Sequence, residues 1–105
     1  MSDLMIVLTT IEADRADELA NRLVAERLAA CVNVHRPMSS TYWWNNRIEH
    51  ADECQLVIKT VAGKLPRLEA RLRELHSYEL PEFIVLHPHA VGPDYAAWAA
   101  AAVRD

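Results

Sequence analysis

Five histidines, two cysteines and two carboxylates flanking a proline are the side chains through which this chain could do chemistry. Imidazole nitrogens suit copper, zinc and nickel ions, so His35, His50, His76, His87 and His89 are read first as ligands. His87-Pro88-His89 is the most conspicuous pair. Side chains two apart in an extended segment point the same way, but two ligands hold a metal weakly. His76 stands where a helical stretch ends, just before Glu79 and Glu82. A histidine–carboxylate metal site of His76 and Glu79 is one reading. A cation stabilising a helix C-terminus is the other. No Cys-x-x-Cys or His-Glu-x-x-His spacing is present. Cys31 and Cys54 lie in apolar stretches and are expected to be reduced, buried thiols. None of Ser2, Ser39, Ser40 and Ser77 sits in a Gly-x-Ser-x-Gly elbow. No set of nucleophile, base and orienting group emerges, so no enzymatic activity is expected. Gly63 and Gly92 are the only glycines, which excludes a glycine-rich phosphate loop.

The elements that must position these residues follow from hydrophobic period. Leu4 to Leu8 is a continuous apolar run with β-branched members, as in a strand buried on both faces. Asp14 offers an N-cap for a helix in which Ala16, Leu19, Ala20, Leu23, Val24 and Leu28 form one apolar stripe. This helix is expected to end near Leu28 to Ala30. Cys31 to Val34 begins a second strand, and Pro37 should force an edge position, bend or bulge in it. Ser40 to Trp44 continues the strand, Asn45-Asn46 turns the chain, and Arg47 to Thr60 returns. Gly63 to Leu75 is a second helix with Pro66 in its first turn. A loop from His76 to Glu82 leads to a fourth strand, Phe83 to Leu86. Pro93-Asp94 opens a last short helix carrying Tyr95, Trp98 and Ala102 on one face. The order β-α-β-β-α-β plus a terminal helix predicts an α+β ferredoxin-like sandwich. Its sheet has four antiparallel strands and a long hairpin between the second and third.

Residues 1–105 fit a single domain with no linker, repeat or low-complexity segment. A net charge of -4 and a pI near 5.7 argue against nucleic acid as a partner. No apolar run approaches the ~20 residues of a membrane span. Met1 to Thr10 is too short and acidic for a secretory signal, so a cytoplasmic location is expected.

The hairpin is the strongest clue to assembly. Arms of about 14 residues reach ~45 Å when extended, whereas a compact chain of this length has a radius of gyration of roughly 13 Å. Tyr42, Trp43 and Trp44 would then project on a free edge, an arrangement that invites pairing with other copies.

The stretches Leu28-Ala29-Ala30-Cys31-Val32-Asn33, Ser40-Thr41-Tyr42-Trp43-Trp44, Ile58-Lys59-Thr60, Leu75 to Glu82 and Pro93-Asp94-Tyr95 together resemble the CutA divalent-cation-tolerance family. The match runs in order over nearly the whole chain. The resemblance implies a homotrimer joined through the hairpin strands, a role in tolerance of divalent metals, copper especially, and no obligatory cofactor. It also implies kinship with the trimeric PII signalling proteins, which bind effectors between subunits. Copper ligands proposed for some members are a cysteine ending the first strand and two adjacent histidines. Here Thr9 stands at the cysteine and Leu75-His76 at the pair, so only His76 carries over. Ser77 replaces a usual proline and Asn46 a usual glycine. The expected functions are a trimeric metal-responsive protein with His76 and Glu79 at the site, an effector sensor, or a purely structural trimer. Cleft positions for the effector are Tyr42, Trp44, Lys59 and Tyr78, and Tyr42, Trp43 and Trp44 are the expected interface residues.

Overall fold

The computed structural model describes residues 2–105, apart from the side chain of Pro37. The elements run β1 (Leu4–Ile11), α1 (Ala13–Ala25), β2 (Cys31–Trp44), β3 (Arg47–Val61), a 3-10 turn (Ala62–Lys64), α2 (Leu65–Leu75), β4 (Ile84–Leu86) and α3 (Pro93–Ala102). The four strands lie in the order β2-β3-β1-β4, all neighbours antiparallel. This is the ferredoxin-like arrangement that the element order predicts.

Strand alternation decides which residues form the core. Cys54, Leu56, Ile58 and Thr60 on β3 and Val7, Thr9 and Ile11 on β1 face the helices and are fully buried. Leu19 and Leu23 of α1 and Leu68 and Leu72 of α2 close over them. Ile6, Leu8, Val57, Ile84 and Leu86 point to the opposite face, where none of them is fully buried. The sheet therefore has one covered and one uncovered side.

α1 starts one residue before Asp14, with Glu12 at the N-cap and no side-chain cap bond. Asp14 instead lies inside the first turn, where its charge favours the positive helix end. The helix also stops at Ala25, short of the expected Leu28. Arg27 takes a left-handed conformation (φ 63°), and Leu28 N–H bonds to Leu23 O while Arg27 N–H bonds to Val24 O, both at 3.0 Å. That Schellman pattern ends the helix. Leu28 and Ala29 remain buried as anchors of the turn, which is why the apolar spacing outruns the helix.

β2 and β3 form the hairpin. Asn45 and Asn46 both have positive φ, 51° and 62°, as a two-residue type I′ turn requires. The register slips between His35 and Met38, so that Arg36 and Pro37 oppose Cys54. This is the bulge expected at Pro37. β1 ends opposite Cys54, so residues 47–53 of β3 pair with β2 alone. The hairpin thus runs beyond the sheet and stretches the molecule to 44 × 27 × 23 Å, with a radius of gyration of 14.4 Å.

β4 is shorter than expected, beginning at Ile84 with Phe83 packed against the core just before it. In α3 the buried residue is Ala99, followed by Val103 after the helix. Tyr95 and Trp98 pack at a tilt, with centroids 5.4 Å apart, on the exposed side.

Candidate functional site

The segment from His76 to Phe83 crosses the end of the sheet where the hairpin leaves it. Its first residues are tied to β1. His76 Nε2 lies 2.7 Å from the Thr10 carbonyl oxygen, and the Tyr78 backbone N–H donates to Nδ1 at 3.1 Å. A carbonyl only accepts and an N–H only donates, so the neutral Nε2–H tautomer satisfies both. The Ser77 hydroxyl donates to Glu12. The segment is thereby held over the β1 terminus, with the Tyr78 ring against the His76 imidazole at 4.7 Å.

Between this segment and the hairpin arm lies a groove of about 790 Å³. Tyr42 and Trp44 form its far wall, since they alternate with Ser40 and Met38 on the uncovered face of β2. Glu53 stands opposite Met38 on β3 and forms the floor with Gln55. Glu53 is only 7% exposed, and its Oε1 accepts the Tyr78 hydroxyl at 2.8 Å. Glu82 enters from the other side, with Oε2 buried and without a hydrogen-bond partner among the described residues. Burial, and then the charge of Glu53, raise the Glu82 carboxyl above its ordinary range. Burial likewise raises the Tyr78 phenol, reinforced by its bond to Glu53 and by the nearby charges of Glu53, Glu12 and Tyr42. Tyr78 is therefore a neutral donor that holds Glu53.

Of the expected cleft residues, Tyr42, Trp44 and Tyr78 line this one groove. Lys59 does not line it. It lies six residues further along β3 and its ammonium donates to Asn33. Glu79 is exposed on the groove's rim. His76 is buried, with both ring nitrogens engaged, by the Thr10 carbonyl and by the Tyr78 N–H. Thr9, at the position of the family's proposed cysteine ligand, is fully buried on the helix side of the sheet. His87 and His89 are exposed beyond β4, and no group of three or more His, Cys, Asp or Glu side chains is gathered for a metal among the described residues. Cys54 is buried as expected. Cys31 is only half-buried, because it opens the edge strand on the uncovered face.

Glu53 and Gln55 were not apparent from motif spacing, although their alternation with Cys54 and Leu56 marks the face opposite the core. Tyr42, Trp43 and Trp44 are all exposed. Trp43 pairs across the hairpin with Ile48, and all three rings border the groove.

The family model for the CutA1 divalent ion tolerance protein matches residues 4–102. The chain belongs to this CutA1 family. The Pectobacterium atrosepticum divalent-cation tolerance protein CutA is 34% identical over 105 residues, covering 99% of this chain and 96% of that protein. A solved structure described as a PII-like protein CutA, from Nostoc in apo form, superposes with a TM-score of 0.90 at 32% identity, covering 95% of this chain and 97% of the other. A CutA from Archaeoglobus fulgidus, described as periplasmic, superposes at 0.91 with 27% identity over 96% and 99% of the two chains. The CutA1 fold thus extends over essentially the whole chain, hairpin included. No helix among the described residues is long and apolar enough to cross a membrane.

Proposed function

We propose that the protein works as a cytoplasmic homotrimer in tolerance of divalent metal ions, copper included, and that it acts by binding rather than by catalysis. The observation that carries assembly is the free backbone edge of β3 over residues 47–53, next to the exposed Trp43 and Ile48. Unpaired strand edges beside exposed aromatic rings are satisfied by strands of other copies. Three copies, rather than two, is the number that the family resemblance supports. With the His76 imidazole committed inside the protomer, weak metal contact falls to exposed carboxylates such as Glu79 at the groove's rim.

Native mass spectrometry of protein taken directly from cells tests this reading. The expected species has about three times the 11.9 kDa chain mass, and a monomer at micromolar concentration would overturn it. Copper titration by calorimetry should give the same affinity for wild type and His76→Ala. Glu79→Ala should weaken it.

A second reading, a PII-like sensor of a small effector, is favoured by the groove. Its volume lies within the ~300–1,000 Å³ of small-molecule sites, and it joins apolar walls to a few polar groups. A small molecule retained in the native spectrum would support it.

A further inference from the structure

We propose that α3 is a separately opening element of this fold, held shut by an ionic latch of Arg27, Lys64, Arg67 and Asp105 that responds to ionic strength. Burial alone holds α3 weakly. Among the described residues of the 93–105 stretch, Ala99 and Val103 are the buried ones, whereas α1 and α2 each sink two leucines into the core. One alanine and one valine offset little of the conformational entropy lost in ordering a ten-residue helix. Polar bonds from two distant segments complete the hold. Arg27, whose left-handed turn ends α1, donates from its guanidinium to the Ala102 carbonyl oxygen at 2.9 Å. Lys64 Nζ donates to one Asp105 carboxylate oxygen at 2.8 Å, and the Arg67 guanidinium donates to the other at 3.1 Å.

Each of the helix ends that meet here lacks a complement of its own. α2 has no acidic residue in its first turn and, among the described residues, no side-chain bond at its N-cap. Two cations stand there instead, Lys64 and Arg67, where the helix dipole disfavours them. The Asp105 carboxylate brings the missing negative charge from α3's side. α3 in turn has no basic residue in its last turn, and Arg27 carries the cation to its final carbonyls. Unequal burial makes the arrangement a latch. The Lys64 side chain is 10% exposed and that of Asp105 65%. The bonds from Lys64 and then Arg67 hold the Asp105 carboxyl below its ordinary range, so it is ionised at neutral pH. With that charge removed, a closed α3 leaves a buried ammonium unpaired, which is costly. Opening lets water reach it. Because the anion is wet, dissolved salt weakens the pair from the Asp105 side.

Hydrogen–deuterium exchange of the full chain, read by mass spectrometry on peptides from α3, β1 and β3, decides the matter. Asp105→Asn should speed exchange of the α3 amides at least about tenfold and leave β1 and β3 unchanged. In wild type, raising sodium chloride from about 50 mM to about 1 M should also speed α3, since the Debye length falls to about 3 Å. Asp105→Asn should be insensitive to that salt. Lys64→Met removes the buried charge, so adding Asp105→Asn to it should speed α3 several-fold less than in wild type. Asp52→Asn, the same exchange of side chain on the hairpin, should alter none of these rates. Equal α3 exchange in wild type and Asp105→Asn would overturn the latch, whether α3 is then held by its own packing or by another copy. Faster exchange in all three segments alike would overturn it too, because α3 would open only with the whole chain. So would an effect of Asp105→Asn undiminished by Lys64→Met, or a wild-type α3 indifferent to salt.

Discussion

At the residue scale, two buried threonines make opposite predictions. Thr60 Oγ1 donates to the Leu28 carbonyl at 2.7 Å, tying β3 to the turn after α1. Thr9 Oγ1 is buried with no partner among the described residues. Thr60→Val strands a buried carbonyl and should cost about 1–2 kcal/mol, whereas Thr9→Val removes an unpaired hydroxyl and should stabilise by about 1 kcal/mol. Urea unfolding at one fixed protein concentration separates the two signs. Glu82 gives a pH signature. Its carboxyl is raised in the folded chain, so the native state holds the proton more tightly than the unfolded state. Stability from this group is present below the ordinary carboxylate range and is lost as pH rises through the raised value. Glu82→Gln should therefore match wild type near pH 4 and exceed it at pH 7. A variant less stable at pH 7 would contradict the unpaired environment of Oε2. None of this could be read locally. Asp52-Glu53 looks like a solvated charge pair, and Glu53 becomes a groove floor only because Tyr78 arrives from 25 residues further along the chain.

At the element scale, local patterns were legible wherever one rule acted alone. The two-residue turn followed from the tolerance of asparagine for positive φ, and the bulge followed from the missing N–H of Pro37. Boundaries failed where tertiary anchoring overruled period. Leu28 and Ala29 continue the apolar stripe of α1 but belong to the turn that Arg27 forces. His76 was legible as a helix terminus, and the two hydrogen bonds that engage its ring nitrogens are announced by no spacing. The turn itself offers a measurable margin. Asn46 holds φ at 62°, which glycine adopts without steric cost. Asn46→Gly should leave the fold intact and raise stability by up to about 1 kcal/mol, and Asn46→Val should lower it by about 1–2 kcal/mol. Equal urea midpoints for the two variants would show that the turn is not held in this conformation.

At the scale of the whole molecule, the chain is more extended than a compact monomer of its mass. A compact monomer of this mass exposes about 5,900 Å², whereas this chain exposes 6686 Å². The excess accompanies a hairpin whose distal residues, 42–48, are all exposed. Trp43 is 72% exposed and its cross-strand partner Ile48 58% exposed. Covering a tryptophan removes on the order of 150 Å² from water, or about 3–4 kcal/mol for each chain. Truncating it in every copy multiplies that loss through the assembly constant. Trp43→Ala should therefore shift sedimentation velocity boundaries from the oligomer toward a species of 11.9 kDa as the protein is diluted through the micromolar range. Trp98→Ala removes an equally conspicuous indole from α3, remote from the hairpin tip, and serves as the control. If Trp98→Ala dissociates the assembly and Trp43→Ala does not, the contact between copies runs through the last helix, and the hairpin projects for another purpose.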